Sequence, residues 1–232
     1  MLVSEIFYSV QGEGQLTGVP SVFIRSSGCN LRCRWCDTKY ASWDPGGDPM
    51  TTREVVEEVN KYPARHVVVT GGEPMVARDI RDLLRALHAE GKHITIETAG
   101  TIMPDGVPCD LASISPKLSN STPREGEIEN RWIAKHDAMR LSPEVLQAWI
   151  DGGYDYQFKF VVSTVSDLGE IRSLLTSIGR EIPPHLVLLM PEGTDVATLQ
   201  SRNEMLLDLC KHYGYRFCTR LHIGLFGNTP GT

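Results

Sequence analysis

The chain of 232 residues is 41% hydrophobic and 22% charged, which supplies a full core and argues against disorder or a repeat array. A formal net charge of -6 and a pI near 5.6 remove any global attraction to phosphate backbones, so no nucleic-acid partner is expected. No stretch reaches the roughly 18 apolar residues of a membrane span and no basic leader precedes an apolar run, so the expectation is a soluble cytoplasmic protein with no membrane partner, one domain over residues 1–232.

An opening segment, Leu2 to Tyr8, and an apolar strand, Ser21 to Ser26, begin the chain. Thr51 and Glu54 have capping-box spacing and announce a helix with Val55, Val56 and Val59 on one face. A strand over His66–Thr70 follows, then a helix carrying Ile80, Leu83, Leu84 and Leu87 and closed by Gly91, then a strand over His93–Thr98, which together make a βαβ unit. Leu111 to Ser115 reads as the next strand, and the polar stretch from Pro116 to Asn130 as a surface or active-site loop. Ser142 before Pro143 starts a helix with Val145, Leu146, Trp149 and Ile150 inward. A strand over Tyr156–Val162, a helix capped by Ser166, a strand over His185–Met190, a helix within Val196–Tyr213 and a strand over Tyr215–Arg220 complete the chain. This alternation predicts an α/β fold with about six parallel strands, too few to close an eight-fold barrel. The expected architecture is an open, partial (β/α) barrel with ligands at the carboxyl ends of its strands.

Three of the six cysteines fall together, Cys29, Cys33 and Cys36, in a C-x3-C-x2-C pattern just after a predicted strand. Cys109, Cys210 and Cys218 are scattered and read as small buried apolar residues. Three clustered thiolates can converge on one metal centre. A closed zinc site would need a fourth ligand from elsewhere, whereas an iron–sulfur cluster held by three cysteines leaves one iron open to a non-protein ligand. Trp35, between the last two cysteines, can cover such a centre and stack on a planar base, or simply pack. The second pattern is Thr70-Gly71-Gly72-Glu73-Pro74, placed after a strand and before a helix. Its glycines let a ligand approach the backbone and Glu73 can accept hydrogen bonds from an ammonium group; equally, it can be a tight turn with a helix-start charge.

The two patterns together resemble the radical S-adenosylmethionine superfamily. The resemblance implies a 4Fe-4S cluster on Cys29, Cys33 and Cys36 whose open iron chelates S-adenosylmethionine, the cofactor then carrying the hard chemistry. A narrower resemblance covers most of the chain. Tyr8-Ser9-Val10-Gln11-Gly12-Glu13-Gly14, Pro20-Ser21-Val22-Phe23-Ile24-Arg25, Cys36-Asp37-Thr38, Glu97-Thr98-Ala99-Gly100-Thr101, Ser115-Pro116-Lys117, Gln157-Phe158-Lys159-Phe160-Val161-Val162 and Arg220-Leu221-His222-Ile223 are similar, in order, to the motifs of the 7-carboxy-7-deazaguanine synthase family of the queuosine (deazapurine) route. This implies conversion of 6-carboxy-5,6,7,8-tetrahydropterin to 7-carboxy-7-deazaguanine by hydrogen abstraction at C6, ring contraction and loss of ammonia, with S-adenosylmethionine regenerated.

The cofactor-binding residues implied are Trp35, Asp37, Gly71, Gly72, Glu73, Ser115, Lys117 and Gln157, and the substrate-binding residues Gln11, Glu13, Arg25 and His222. Thr38 would hold Mg2+, a hydroxyl being a hard oxygen donor suited to a largely water-filled octahedron. No separate catalytic side chain is assigned. An external electron donor and a homodimer are also implied. Ala99 stands where some members have Asn, and residues 226–232 do not align with members whose terminal carboxylate enters the site. The competing expectations are a glycyl-radical activase, which would need an open peptide groove, and a non-catalytic iron–sulfur or zinc module with four protein ligands.

Overall fold

The computed structural model describes all residues, 1–232. Nine strands are present: β1 (Leu2–Val10), β2 (Pro20–Ser26), β3 (Asp48–Pro49), β4 (His66–Gly71), β5 (His93–Thr98), β6 (Leu111–Ile114), β7 (Asp155–Val162), β8 (Val187–Pro191) and β9 (Arg216–Phe217). The helices are α1 (Lys39–Ser42), α2 (Thr52–Val59), α3 (Ile80–Ala89), α4 (Asn130–Met139), α5 (Pro143–Asp151), α6 (Asp167–Ser177), α7 (Val196–Tyr213) and α8 (Leu221–Phe226). The strands form one sheet in the order β3-β1-β2-β4-β5-β6-β7-β8-β9. From β2 to β9 every pairing is parallel, while β1 runs antiparallel to β2 and to β3. The sheet stays open, with β3 and β9 at its edges, as the count of strands implied.

Strand alternation decides what each face carries. Val22 and Ile24, Val67 and Val69, Ile94 and Ile96, Ala112 and Ile114, Phe158 and Phe160, Val187 and Leu189 all enter one apolar core with the helical layer. The intervening residues, among them Phe23, Arg25, Val68, Glu97, Lys159, Val161 and Met190, line a cavity on the other face. Helix α3 shows why the helices stay docked: Ile80, Leu83, Leu84 and Leu87 are each fully buried. Truncating any one to Ala costs about 2–5 kcal/mol. The expected capping box of α2 forms, Thr51 Oγ1 accepting from Glu54 N and Glu54 Oε2 accepting from Thr51 N.

Four local expectations are corrected. Pro184, His185 and Leu186 make a 3-10 turn, so β8 begins at Val187. β9 has only two residues, because after Cys218 N donates to Leu189 O the chain leaves the sheet toward α8. Ser166 makes no side-chain cap; the Asp167 carboxylate instead accepts from Ser163 N and Thr164 N. The stretch after Pro116 is tied down: Ser119–Ser121 forms a 3-10 turn, Ser121 O accepts from Arg34 N at 2.8 Å, and α4 follows it unforeseen. No helix is long and apolar enough to cross a membrane.

Candidate active site

The loops after the parallel strands converge on a cavity of about 470 Å³, within the range of small-molecule sites. Cys29, Cys33 and Cys36 are all free thiols on its wall, on the loop leaving β2. They pack in one cluster with Leu31, Ala99, Trp35 and Met139. Burial pushes the Cys29 and Cys33 thiols up to about 12, so loading a metal centre must displace their protons. No three His, Cys, Asp or Glu side chains anywhere are close enough to close on a single ion. A closed zinc site calls for a fourth protein ligand, whereas a cluster held by three cysteines leaves one iron open to another ligand. The donor set therefore fits a cluster held by three cysteines.

The cysteine loop is braced from outside. The Arg32 guanidinium donates to Cys29 O and Leu31 O, both at 2.8 Å, and lies 4.1 Å over the Trp132 ring of α4. His136, also on α4 and fully buried, accepts from Arg32 N through Nδ1 at 3.0 Å, so its Nε2–H donates to Ser121 Oγ at 2.9 Å. Burial holds that imidazole down to about 4 and hence neutral. On the inner side, a Cβ on Gly72 would sit 2.4 Å from Gly28 O and 2.7 Å from Cys29 Cβ. The room left by Gly72 is thus taken by the cysteine loop, a tighter reason for glycine than ligand approach alone.

The cavity is also lined by a chain of buried ions that reaches the cysteine loop at Asp37. Lys159 Nζ, on β7, donates to Glu13 Oε2 at 2.6 Å and to Glu97 Oε2 at 2.8 Å. Arg220 donates through Nε to Glu13 Oε1 at 2.9 Å, through Nη1 to Gly193 O at 2.6 Å and through Nη2 to Asp37. Burial pushes the Glu13 carboxyl up, but the Lys159 ammonium and the Arg220 guanidinium outweigh it and hold the group far below the usual carboxylate range. Burial likewise disfavours the Lys159 ammonium, yet Glu13 and Glu97 keep it charged well above neutral pH. Gln11 closes the chain, donating to Glu97 Oε1 at 3.2 Å and accepting from Glu13 N at 3.1 Å. His222 Nε2 stands 4.0 Å from Glu13 Oε1, and Gly12 leaves it room, since a Cβ there would lie 2.0 Å from His222 Nδ1. Phe7 and Phe23, which also line the cavity, stack at 4.9 Å and 4°, with Arg25 5.9 Å from the Phe7 ring.

Most residues expected at the site meet there. Gln11, Glu13, Arg25, Trp35, Asp37, Thr38, Gly71, Gly72, Ser115, Lys117 and His222 all line the cavity with the cysteines. Two do not. Glu73 is fully buried, its carboxylate accepting from Met75 N, Thr98 Oγ1 and Ala99 N, so it fixes the turn and the end of β5. Gln157 is equally buried, accepting from Gln15 N and donating to Ser113 Oγ. The Glu73 carboxylate is thus engaged by the protein itself on both oxygens, while Gln157 makes one hydrogen bond through each amide atom. Conversely, Lys159, Glu97, Arg220 and the Phe7–Phe23 stack were assigned no role from sequence, although charged Glu97 and Lys159 inside otherwise apolar strands mark an inward polar face. Residues Gly227–Thr232 also line the cavity, which the sequence left without a role.

A model of the Radical SAM superfamily matches residues 23–114, the span from β2 through β6 that holds the cysteine loop. The 7-carboxy-7-deazaguanine synthase of Halobacterium salinarum is 47% identical, covering 99% of this chain and 92% of that protein. The chain belongs to the 7-carboxy-7-deazaguanine synthase family. The synthase of Rhodopirellula baltica is 44% identical over 100% of this chain and 89% of its own length. The crystal structure of QueE from Escherichia coli superposes with a TM-score of 0.71 at 26% identity, covering 95% of this chain and 94% of that one. Membership makes the chain a radical S-adenosylmethionine enzyme and implies a 4Fe-4S cluster and S-adenosylmethionine as its cofactors.

Proposed function

We propose that this chain converts 6-carboxy-5,6,7,8-tetrahydropterin to 7-carboxy-7-deazaguanine with loss of ammonia, as a single radical S-adenosylmethionine domain over residues 1–232. The observation that carries this reading is one cavity lined both by the three free thiols and by the polar set Gln11, Glu13, Lys159, Arg220 and His222. Cys29, Cys33 and Cys36 would hold the cluster, which together with S-adenosylmethionine would supply one-electron, radical-generating chemistry at this end of the cavity.

The remaining work belongs to the chain's own side chains. Phe7 and Phe23, stacked on each other, add apolar aromatic surface to the cavity against which a bicyclic ring can pack. Arg25 donates to Glu5 through Nε, and its Nη groups make no hydrogen bond within the protein, which leaves them for the pterin carboxylate. Lys159 neutralises Glu13 and Glu97, so two carboxylates can face the donor edge of the ring without repelling each other. Burial lowers the His222 pKa, so it meets the substrate as a neutral imidazole. Lys117, 5.7 Å from the Trp35 ring and bonded to Ser115 Oγ at 2.7 Å, is placed to pair with the carboxylate of S-adenosylmethionine. Thr38, beside Cys36 on the cavity wall, is the side chain for Mg2+. An external one-electron donor, a homodimeric assembly and a cytoplasmic setting complete the reading.

The test is incubation of protein reconstituted without oxygen with S-adenosylmethionine, a reductant, Mg2+ and the carboxytetrahydropterin, followed by mass spectrometry. The deazaguanine acid and ammonia are expected in equal amounts. Cleavage of S-adenosylmethionine without that product would overturn the substrate; neither product nor cleavage would overturn the reaction class, since productive turnover regenerates the cofactor.

A further inference from the structure

The sulfurs of the cysteine loop do not share one environment. Leu31 N donates to Cys29 Sγ at 3.4 Å. Cys36 Sγ lies 3.2 Å from Ser42 Oγ and 3.7 Å from Thr38 Oγ1. Cys33 Sγ has no hydrogen-bond donor, its surroundings being Leu31, Ala99 and Trp35. Ser42 is the last residue of α1, is 3% exposed, and lines the cavity. Its hydroxyl oxygen also stands 3.2 Å from Thr38 O, one turn back in the helix. A serine hydroxyl has one proton and cannot serve both acceptors fully.

While Cys36 is a thiol it can donate to Ser42 Oγ, and the hydroxyl then donates on to Thr38 O. A ligating thiolate has no proton, so the direction of the contact reverses. The sulfur now carries charge, and a charge-assisted bond is stronger than one to a neutral carbonyl. The helix places the donor without a loop to rearrange, and burial keeps water from competing.

We propose that Ser42 is a tuning residue for the reaction: its hydroxyl donates to the Cys36 sulfur once that sulfur is a ligand, and so raises the reduction potential of the cluster. Reduction adds negative charge to the cube, and a donor on one of its sulfurs stabilises the more negative state. The inference rests on the reading of Cys29, Cys33 and Cys36 as cluster ligands. It adds that the Cys36 sulfur, beside Thr38, has a buried hydroxyl donor within reach, while the Cys33 sulfur has none.

The experiment is a redox titration, followed by electron paramagnetic resonance, of wild type, Ser42→Ala and Ser42→Thr, each reconstituted without oxygen and assayed for iron, sulfide and fold by circular dichroism. Ser42 is not a ligand, so Ser42→Ala is expected to bind wild-type iron. Its midpoint is expected to move negative, lowering the reduced-to-oxidised ratio at a fixed potential by about three- to tenfold, tenfold being about 59 mV for one electron. Ser42→Thr keeps the hydroxyl and is expected to restore the wild-type midpoint. A fully loaded Ser42→Ala with the wild-type midpoint would overturn the proposal. So would a folded Ser42→Ala that cannot hold iron while Ser42→Thr holds it at a shifted potential, since Ser42 would then build the loop instead of tuning it. Failure of the wild type itself to take up a cluster would instead sink the ligand assignment, which keeps the two outcomes distinct.

Discussion

Lys159→Met removes the one ammonium that Glu13 and Glu97 share and replaces it with an apolar side chain of similar length. Lys159 is 4% exposed, and its two ion pairs are 2.6 and 2.8 Å long. Removing one partner of a buried pair costs about 3–5 kcal/mol because the other charge is left unmatched. Glu13 keeps Arg220, and Glu97 keeps Gln11 and Ser113, so the lower end of that range, about 3 kcal/mol, is expected at about pH 8. The pH dependence follows from Glu13. In the wild type its folded pKa lies below its ordinary value of 4.5, so its contribution is complete above that value and fades as pH falls further. Without Lys159 burial regains weight and the folded pKa rises, so the variant's deficit grows as pH increases through the carboxylate range. Urea denaturation of the metal-free proteins between about pH 4.5 and 8 measures this without involving the cluster. The gap between wild type and variant should be widest at the alkaline end and narrow toward the acid end. A variant as stable as wild type at every pH would refute the reasoning.

Gly72→Ala puts a methyl group against Gly28 O and Cys29 Cβ, so iron content after reconstitution should fall well below wild type while the circular dichroism of the metal-free protein changes little. His136→Gln should flatten the acid side of the stability curve. His136 is neutral and buried with a pKa near 4, below its ordinary 6.5, so the wild type loses stability as pH falls through that window, by up to about 1.4 kcal/mol per unit, and the variant lacks this slope. Thr38→Ala should raise the Mg2+ concentration needed for half-maximal turnover, with iron content unchanged; wild-type behaviour at limiting Mg2+ would remove Thr38 from the metal site.

The open parallel sheet was legible because its strands and helices carry clean periodicities; Ile80, Leu83, Leu84 and Leu87 all meet the core. The cysteine loop was legible because its ligands are local in sequence. The chain of buried ions was not, since Lys159 pairs with Glu13 across 146 residues and Arg220 with Glu13 across 207, and nothing in either neighbourhood names the partner. The partners of Glu73 and Gln157 were equally illegible: the amides and hydroxyls that engage them, Ala99 N and Thr98 Oγ1 for Glu73, Gln15 N and Ser113 Oγ for Gln157, lie far away in sequence. Helix α4 escaped because its buried face is a histidine with partly exposed flanks, a weak apolar stripe. Yet it supplies His136 and Trp132 to the cysteine loop, so the segment with the faintest pattern holds the site's outer brace.

The central claim is that three thiolates leave one iron free to take a ligand from the cavity. Electron–nuclear double resonance on the reduced, reconstituted protein tests it directly, using S-adenosylmethionine labelled with 17O in the carboxylate and 15N in the amino group. Hyperfine coupling from both labels to the cluster is the expected result. A cluster whose spectrum is the same with and without the labelled cofactor would mean that every iron is already capped, and would contradict the account.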